Sequence, residues 1–202
     1  MTHTSRLVAV WLCVLCAGAP CALAQPDAAA WGLPQLMQGL GQVRSATGRF
    51  EERKTIHVLN APLMASGTLT YVAPDYLRKT TLSPVPEDFI LDRGTADITG
   101  GPEHQTHSFS LDEAPQIAGL VEGIRATLAG DLPMLKRFYT VRLTGTEAGW
   151  QLLLQPKTAQ AASFITWMLI QGSENRLTAI DTASPNGDHS EMGITEDTSH
   201  AH

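Results

Sequence analysis

The stretch Ser66–Lys79 reads S-G-T-L-T-Y-V-A-P-D-Y-L-R-K, and it determines the fold that we expect for this chain. Its first half alternates between a face of mostly Ser and Thr side chains and a face formed by Gly67, Leu69, Tyr71 and Ala73. A period of two is typical of a β-strand with one side against an apolar interior. Pro74-Asp75 interrupts the alternation, and an extended pattern resumes at Tyr76. The stretch therefore predicts two strands joined by a tight corner.

Similar extended segments recur from residue 46 to residue 195, and most of them are joined by short turns. Turn signals include Asp92-Arg-Gly and Ser184-Pro-Asn-Gly-Asp, and residues 163–170 form a long apolar segment that predicts a further strand. Short turns favour antiparallel pairing, and a twisted antiparallel sheet of about ten strands tends to curl. We therefore expect a mainly β fold, an incomplete (half) antiparallel barrel of about ten strands with helices lying on its concave face as a lid.

Two amphipathic helices are predicted from apolar residues at helical spacing. The first is marked by Leu33, Leu36, Met37, Leu40 and Val43, and the second by Ile117, Leu120, Val121, Ile124 and Leu128. Gly130 is expected to end the second helix, and Asp131 to cap a short third helix that runs to about Arg137. Periodicity leaves two interpretations open for these helices, a fixed core against the sheet or a movable lid over a cavity.

The first 24 residues are predicted to be a secretory signal peptide. His3 and Arg6 precede an apolar run over residues 7–19, and Ala22-Leu23-Ala24 matches a cleavage site. All three cysteines fall inside this segment, so the mature chain would have no thiol. We expect a signal peptide at 1–24, one half-barrel domain at 25–196, a disordered tail at 197–202, and a periplasmic location.

Composition argues against two classes of protein. The formal net charge is -6 and the lysines and arginines form no cluster, which argues against nucleic-acid binding. Hydrophobic residues make up 43% and charged residues 17% of the chain, yet no second apolar run reaches the length of a membrane span. The mature chain is therefore expected to be a soluble protein.

The sequence contains no recognisable catalytic or metal-binding motif. His104 and His107 are three residues apart in an extended segment, where their side chains point to opposite faces and suit a shared metal poorly. The carboxylate pairs Glu51-Glu52, Glu87-Asp88 and Asp112-Glu113 are interpreted as solvated, as is one member of Arg78-Lys79. We therefore expect no enzymatic activity, no metal and no cofactor.

The opening stretch resembles the start of LolA-like periplasmic lipoprotein carriers. The resemblance continues through Phe50 and the helix before it, Pro84, Asp92-Arg-Gly, Leu128-Ala-Gly-Asp131, residues 135–138, Gly149-Trp-Gln-Leu-Leu-Leu-Gln-Pro156, Asn186-Gly-Asp and Met192. These residues look like a divergent branch of the family that is associated with aryl-polyene gene clusters. The resemblance spans almost the whole mature chain, and it rests on turns and alternation.

The resemblance implies a half-barrel with an apolar concave face and a movable helical lid. Members of the family bind the acyl chains of lipoproteins and shuttle them from an inner-membrane donor complex to an outer-membrane acceptor. The sequence departs from LolA proper at Ala73, where that protein has an arginine before the corner proline that helps to hold the lid closed.

The leading hypothesis is therefore a monomeric carrier of a lipoprotein or another lipidic ligand. Its predicted ligand-binding residues are Leu36, Leu40, Leu69, Tyr71, Ile117, Leu120, Val121, Ile124 and Leu128. A second hypothesis is a lipid- or peptide-sensing module that regulates a protein partner. A third, an enzyme that acts on a lipid, is disfavoured because the site ingredients are missing.

Overall fold

The computed structural model describes residues 31–100 and 105–197, and one antiparallel sheet dominates them. The strands are β1 (Ser45–Thr55), β2 (Leu63–Val72), β3 (Tyr76–Ser83), β4 (Glu87–Asp92), β5 (Thr95–Gly100), β6 (Gln105–Ser110), β7 (Tyr139–Thr146), β8 (Gly149–Pro156), β9 (Trp167–Ser173), β10 (Arg176–Ala183) and β11 (His189–Glu196). The helices are α1 (Leu33–Leu40), α2 (Pro115–Leu128), α3 (Leu132–Phe138) and α4 (Ala159–Ala162), with a 3-10 turn at Leu111–Glu113.

The strands form a single curled sheet in the order β6-β5-β4-β3-β2-β1-β11-β10-β9-β8-β7. Every neighbouring pair is consecutive in the chain except β1 and β11, whose pairing joins the two halves of the sheet. The sheet is not closed, since β6 and β7 each have a neighbour on one side only. The predicted mainly β, half-barrel fold is confirmed, with eleven strands instead of about ten.

The stretch Ser66–Lys79 forms the predicted corner. Tyr71 pairs with Leu77 and Val72 with Tyr76, so residues 73–75 make the turn between β2 and β3. Gly67 is essential to this pairing because a Cβ there would lie 1.9 Å from the carbonyl oxygen of Thr80 and 2.9 Å from Cε1 of Phe50. The face of Gly67, Leu69 and Tyr71 is thus the concave face of the sheet, as the alternation predicts.

The main hydrophobic core lies between α1 and the second half of the sheet. Leu36, Met37 and Leu40 belong to the same buried cluster as residues of β8 and β9, where the largest member is Trp150. The helix ends at Leu40 and not at Val43, because Gly41 caps its last turn. The first helix is therefore built into the core. None of the described helices has the length and hydropathy needed to cross a membrane.

The later helices follow the sequence signals closely. Gly130 has a φ of 66° after the end of α2, and the Asp131 carboxylate accepts a 3.0 Å hydrogen bond from the Met134 amide to cap α3. The prediction of a strand over 163–170 is wrong in its first half. Thr158 caps the short helix α4 and Ser163 ends it, so the strand β9 starts only at Trp167.

Several predictions fall outside the described residues. These are the signal peptide at 1–24, His104 and residues 198–202 of the tail. Asp197 is described, and its amide donates a 2.9 Å hydrogen bond to the Thr47 carbonyl at the end of the β1–β11 pair.

Candidate functional site

A cavity of about 410 Å³ lies between α2 and the concave face of the sheet. Its walls come from β1 to β5 on one side and from β10 and β11 on the other, and most of the lining side chains are apolar. Because β1 and β11 are neighbours, residues from the two ends of the described chain meet in this wall. A concave apolar surface with a few polar groups is the usual form of a binding site for a small hydrophobic ligand.

The structure brings eight of the nine predicted ligand-binding residues together around this cavity. They are Leu40, Leu69, Tyr71, Ile117, Leu120, Val121, Ile124 and Leu128. Leu36 is placed elsewhere, because its side chain points into the main core, where it is 2% exposed. The helical face that carries Leu36 also carries core residues, and periodicity cannot separate a core-facing from a cavity-facing position.

Sequence reasoning missed much of the opposite wall. Phe89 and Ile98 on β4 and β5 and Leu177, Ile180, Met192 and Ile194 on β10 and β11 also line the cavity. Their alternation indicates only that they face inward. The strand order, which pairs β1 with β11, decides that they share one cavity with α2.

The cavity side of α2 is the stripe of apolar residues that its spacing predicts. Ile117, Leu120, Ile124 and Leu128 are half-buried, in contrast to the fully buried Leu36 and Leu40 of α1. The stripe packs against two hydrophobic clusters. Ile117 contacts the small group around Leu91, while Leu120 and Ile124 contact the main core. The helix therefore spans the cavity between two halves of the sheet.

Tyr139 anchors α2 to the sheet. Its hydroxyl donates a hydrogen bond to the Gly119 carbonyl in the first half of the helix. Gly123 permits this approach, because a Cβ there would lie 3.2 Å from the Tyr139 hydroxyl and 3.0 Å from Cε of Met168. Burial, with a smaller contribution from Glu122, raises the pKa of Tyr139 to about 12, so the hydroxyl stays a donor.

A charged cluster interrupts the apolar wall, in addition to the lining residues Glu87, Arg176 and Glu196. The Glu52 cluster consists of Glu52 on β1 with Lys54, Lys79 and Ser190 around it. Lys79 Nζ donates to Glu52 Oε2 at 2.6 Å, and the Ser190 hydroxyl donates to Glu52 Oε1 at 2.7 Å. Lys54 Nζ lies 3.4 Å from Glu52 Oε1. The Lys79 ammonium also lies 4.7 Å from the centre of the Phe50 ring, which places it above the aromatic face.

The Glu52 cluster corrects one prediction and agrees with another, that one member of Arg78-Lys79 faces outward. Glu52 is not solvated, since only 4% of it is exposed, whereas its neighbour Glu51 points outward. Of the basic pair, Arg78 binds the Asp88 carboxylate through Nε at 2.9 Å and Nη2 at 2.8 Å, while Lys79 turns inward. An inward-facing charge was predictable from the period of two, but its partner lies two strands away.

Burial and charge act against each other in this cluster. Burial opposes ionisation of Glu52, but the charge of Lys79 and the hydrogen bonds from Lys79 and Ser190 together lower the pKa of its carboxyl. Burial also lowers the pKa of the Lys79 ammonium, and Glu52 offsets this effect only in part. The partners therefore favour the ionised form of Glu52, whereas burial disfavours the charged form of Lys79 by more than Glu52 restores it.

The described residues offer no metal site, because no three His, Cys, Asp or Glu side chains converge. His57 Nδ1 and the Asp188 carboxylate lie 2.9 Å apart, and this contact ties the β1–β2 loop to the β10–β11 turn. At the corner, the Ala73 amide donates a 2.9 Å hydrogen bond to the Arg44 carbonyl, and Ala73 itself does not line the cavity.

A family model described as outer membrane lipoprotein carrier protein LolA-like matches residues 24–201. Among curated protein sequences, none matches the chain significantly.

Solved structures with a similar arrangement share little sequence. A LolA superfamily protein from Nitrosomonas europaea is 10% identical with a TM-score of 0.47, and the match covers 86% of this chain and 96% of that one. A DUF1329 family protein from Desulfovibrio piger is 12% identical with a TM-score of 0.49, covering 84% and 92%. MucB, in its complex with MucA from Pseudomonas aeruginosa, is 11% identical with a TM-score of 0.44, covering 84% and 58%.

Proposed function

The chain belongs to the LolA-like family of outer membrane lipoprotein carrier proteins, and on that premise we propose that it is a periplasmic carrier of acylated ligands. The acyl chains of a lipoprotein, or of another lipidic molecule, bind in the cavity under α2, and the complex moves towards the outer membrane. The proposal assigns the protein no catalytic step, no metal and no cofactor.

The observation that supports this proposal most strongly is the apolar lining of the cavity. Leu69 and Ile98 from the first half of the sheet face Ile180 and Ile194 from the second half, beneath Leu120 of α2. Burial of apolar surface contributes about 25 cal/mol per Å² and has no directional requirement. A site of this kind suits acyl chains of different lengths, which differ in area and not in the position of polar groups.

Helix α2 is the part of the wall that we propose to move. Most of its cavity-facing side chains are half-buried, although Val121 is only 8% exposed. Within the described residues, the hydrogen bond from Tyr139 to Gly119 ties the helix to the sheet. The core helix α1, in contrast, buries Leu36 and Leu40 almost completely. Displacement of α2 would expose the cavity at the expense of the contacts that Leu120, Ile124 and the buried Ala126 make with the main core. A ligand that binds the displaced state more tightly would shift the equilibrium towards it.

The partners follow from the family and not from any contact in this chain. We propose an inner-membrane donor complex that loads the carrier and an outer-membrane acceptor that unloads it. We further propose that the carrier works as a monomer, since one chain by itself encloses the cavity.

Extraction of a lipopeptide from vesicles tests the proposed function. Phospholipid vesicles that contain a fluorescent triacylated lipopeptide are incubated with the protein and then removed by centrifugation, and the fluorescence of the supernatant is measured. The wild type is expected to bring the lipopeptide into solution, Leu120→Asp is expected to lose this activity, and Val85→Asp, in the exposed β3–β4 loop, is expected to retain it. A wild type that leaves all of the lipopeptide in the vesicles would contradict the proposal.

The alternative is an interaction module whose partner is a protein. Exposed apolar side chains support it, since Val58 is 71% exposed in the β1–β2 loop and Met64 is exposed at the start of β2. Large apolar side chains grouped at one surface often mark a protein contact. Under this alternative the protein forms a stable complex with one partner and extracts no lipopeptide, and Val58→Asp with Met64→Asp weakens the complex.

A further inference from the structure

The hydroxyl group of Tyr71 is buried at the wall of the cavity without a hydrogen-bond partner. Tyr71 is 3% exposed, and among the described residues no atom accepts from or donates to its Oη. The other large buried side chains with a polar end are satisfied, since Tyr139 donates to the Gly119 carbonyl and Trp150 Nε1 donates to the Glu174 carbonyl at 2.9 Å. Among the described side chains Glu196 Oε2 also has no hydrogen-bond partner, but it lies 4.0 Å from Arg176 Nε, whereas Tyr71 Oη has no ion-pair partner either.

An unpaired buried hydroxyl destabilises a folded protein, because the group gives up its bond to water and receives nothing in exchange. Phenylalanine would fill the same place without this penalty. The position lies on the concave face, where Tyr71 pairs with the small Ala46 on β1 and with Leu77 on β3, and all three line the cavity. The hydroxyl itself is covered in this structure, so a molecule in the cavity reaches it only after the side chains that cover it move aside.

The hydroxyl is a hydrogen-bond donor at physiological pH. Burial raises the pKa of Tyr71, and the positive charges of Arg125 and Arg44 oppose this rise only in part. Asp75, the third charged group that acts on it, raises the pKa further. A neutral phenol that is cut off from water is stabilised by a hydrogen-bond acceptor, and an uncharged carbonyl oxygen is the acceptor that an otherwise hydrophobic ligand can supply.

We propose that Tyr71 Oη donates a hydrogen bond to the ester or amide carbonyl at the head of a bound acyl chain, so that the cavity selects acyl chains over alkyl chains. This inference rests on the proposed lipid-binding function and names its ligand more closely. A site that offers a buried hydrogen-bonding group discriminates against an analogue that lacks the matching group, because the protein's own group is then left unpaired.

Two lysophospholipids that differ by one carbonyl group provide the test. They are 1-palmitoyl-lysophosphatidylcholine, which has an ester, and 1-hexadecyl-lysophosphatidylcholine, which has an ether at the same place. Each is titrated, below its micelle concentration, against the fluorescent dye N-phenyl-1-naphthylamine bound to the full-length mature protein. Because one hydrogen bond to a neutral group distinguishes them, the wild type is expected to bind the ester about three- to tenfold more tightly.

Tyr71→Phe removes one oxygen atom and is expected to bind both lipids with equal affinity, at the level that the wild type shows for the ether. Tyr76→Phe is the matched control, because Tyr76 does not line the cavity, and it should keep the preference. Far-UV circular dichroism and the urea midpoint verify the fold of both variants, and Tyr71→Phe is expected to be at least as stable as the wild type.

The outcomes separate this inference from the function on which it rests. Equal affinity of the wild type for the two lipids, or a preference that persists in Tyr71→Phe, would overturn the role of Tyr71 and leave lipid binding in place. Failure of both lipids to displace the dye from the wild type would overturn the proposed lipid-binding function, and the inference with it.

Discussion

Lys79 Nζ and Glu52 Oε2 lie 2.6 Å apart in the concave face of the sheet, two strands from each other. The lysine reaches its partner across the face of Phe50, next to Gly67, which has no side chain to obstruct it. This pair links β3 to β1, and the Ser190 hydroxyl extends the link to β11. This linked group of charged side chains in the cavity wall thereby lies at the junction between the two halves of the sheet.

Lys79→Met is expected to destabilise the protein by about 3–5 kcal/mol, because Glu52 would remain buried without a cation. The double variant Glu52→Leu with Lys79→Met should recover most of this loss, since it removes both charges. Urea unfolding followed by circular dichroism measures the effect. Arg78→Met is the matched control from the adjacent position on the opposite face, where the ion pair with Asp88 is exposed, and it should change the urea midpoint little. Equal effects of Lys79→Met and Arg78→Met would show that Glu52 needs no partner.

The stability should depend on pH through Glu52. The neighbouring groups lower the pKa of Glu52 below its ordinary value of 4.5. A depressed carboxyl pKa contributes stability that is complete above the unfolded value and is lost as the pH falls through the folded value. The difference in stability between the wild type and Glu52→Gln is therefore expected to be largest above pH 4.5 and to shrink as the pH falls below that value.

Urea midpoints measured across this range test the prediction, with Glu51→Gln as the control because Glu51 is exposed beside Glu52. If the urea midpoints of the wild type and Glu52→Gln differed by the same amount at every pH, protonation of the Glu52 carboxylate would have no effect on the stability of the fold.

Gly67→Ala is expected to destabilise the sheet by at least about 1–3 kcal/mol, the usual effect of overpacking. The added methyl group would overlap the Thr80 carbonyl and press on the Phe50 ring. Gly193→Ala in β11 is the matched control, because a Cβ there meets no atom within 4 Å. Thermal unfolding of the two variants tests whether Gly67 packs this closely against Thr80 and Phe50. An equal melting temperature for both variants would contradict this packing.

Tyr139→Phe is expected to loosen α2 while the sheet remains folded. The variant loses the hydrogen bond to the Gly119 carbonyl, which should reduce the stability by about 1 kcal/mol. Amide hydrogen exchange in residues 115–128 should become faster, whereas exchange in α1 should not change. Unchanged exchange in α2 would indicate that packing alone holds the helix.

Hydrophobic periodicity predicts which residues of one strand or helix share a face, and the corresponding parts of the site could be identified from the sequence. Leu69 and Tyr71 were identified as cavity residues because alternation places them on one face, and Leu120 and Ile124 because they share one face of α2. Periodicity contains no information about the order of the strands in the sheet. Ile180 and Ile194 were therefore not assigned to the same cavity as these residues. The Glu52 cluster was missed for the same reason, since Ser190 is 138 residues from Glu52 in the chain.

The remaining error shows where local signals compete. The apolar run 163–170 has the composition of a strand, but Thr158 and the alanines after it favour a helical turn, which ends at Ser163. A capping hydrogen bond between the Thr158 hydroxyl and the Ala161 amide, 3.2 Å long, decides the start of that turn. The apolar Ile165 is buried without belonging to a strand.

Native mass spectrometry of the protein, isolated from periplasmic extract without detergent, tests most directly whether the cavity under α2 holds acyl chains. The wild type and Val85→Asp are predicted to show added masses that yield fatty acyl groups on extraction, while Ile124→Asp, which places a charge in the cavity wall, is predicted to show the protein mass alone. If folded Ile124→Asp carried acyl groups at the same occupancy as the folded wild type, this account would be contradicted.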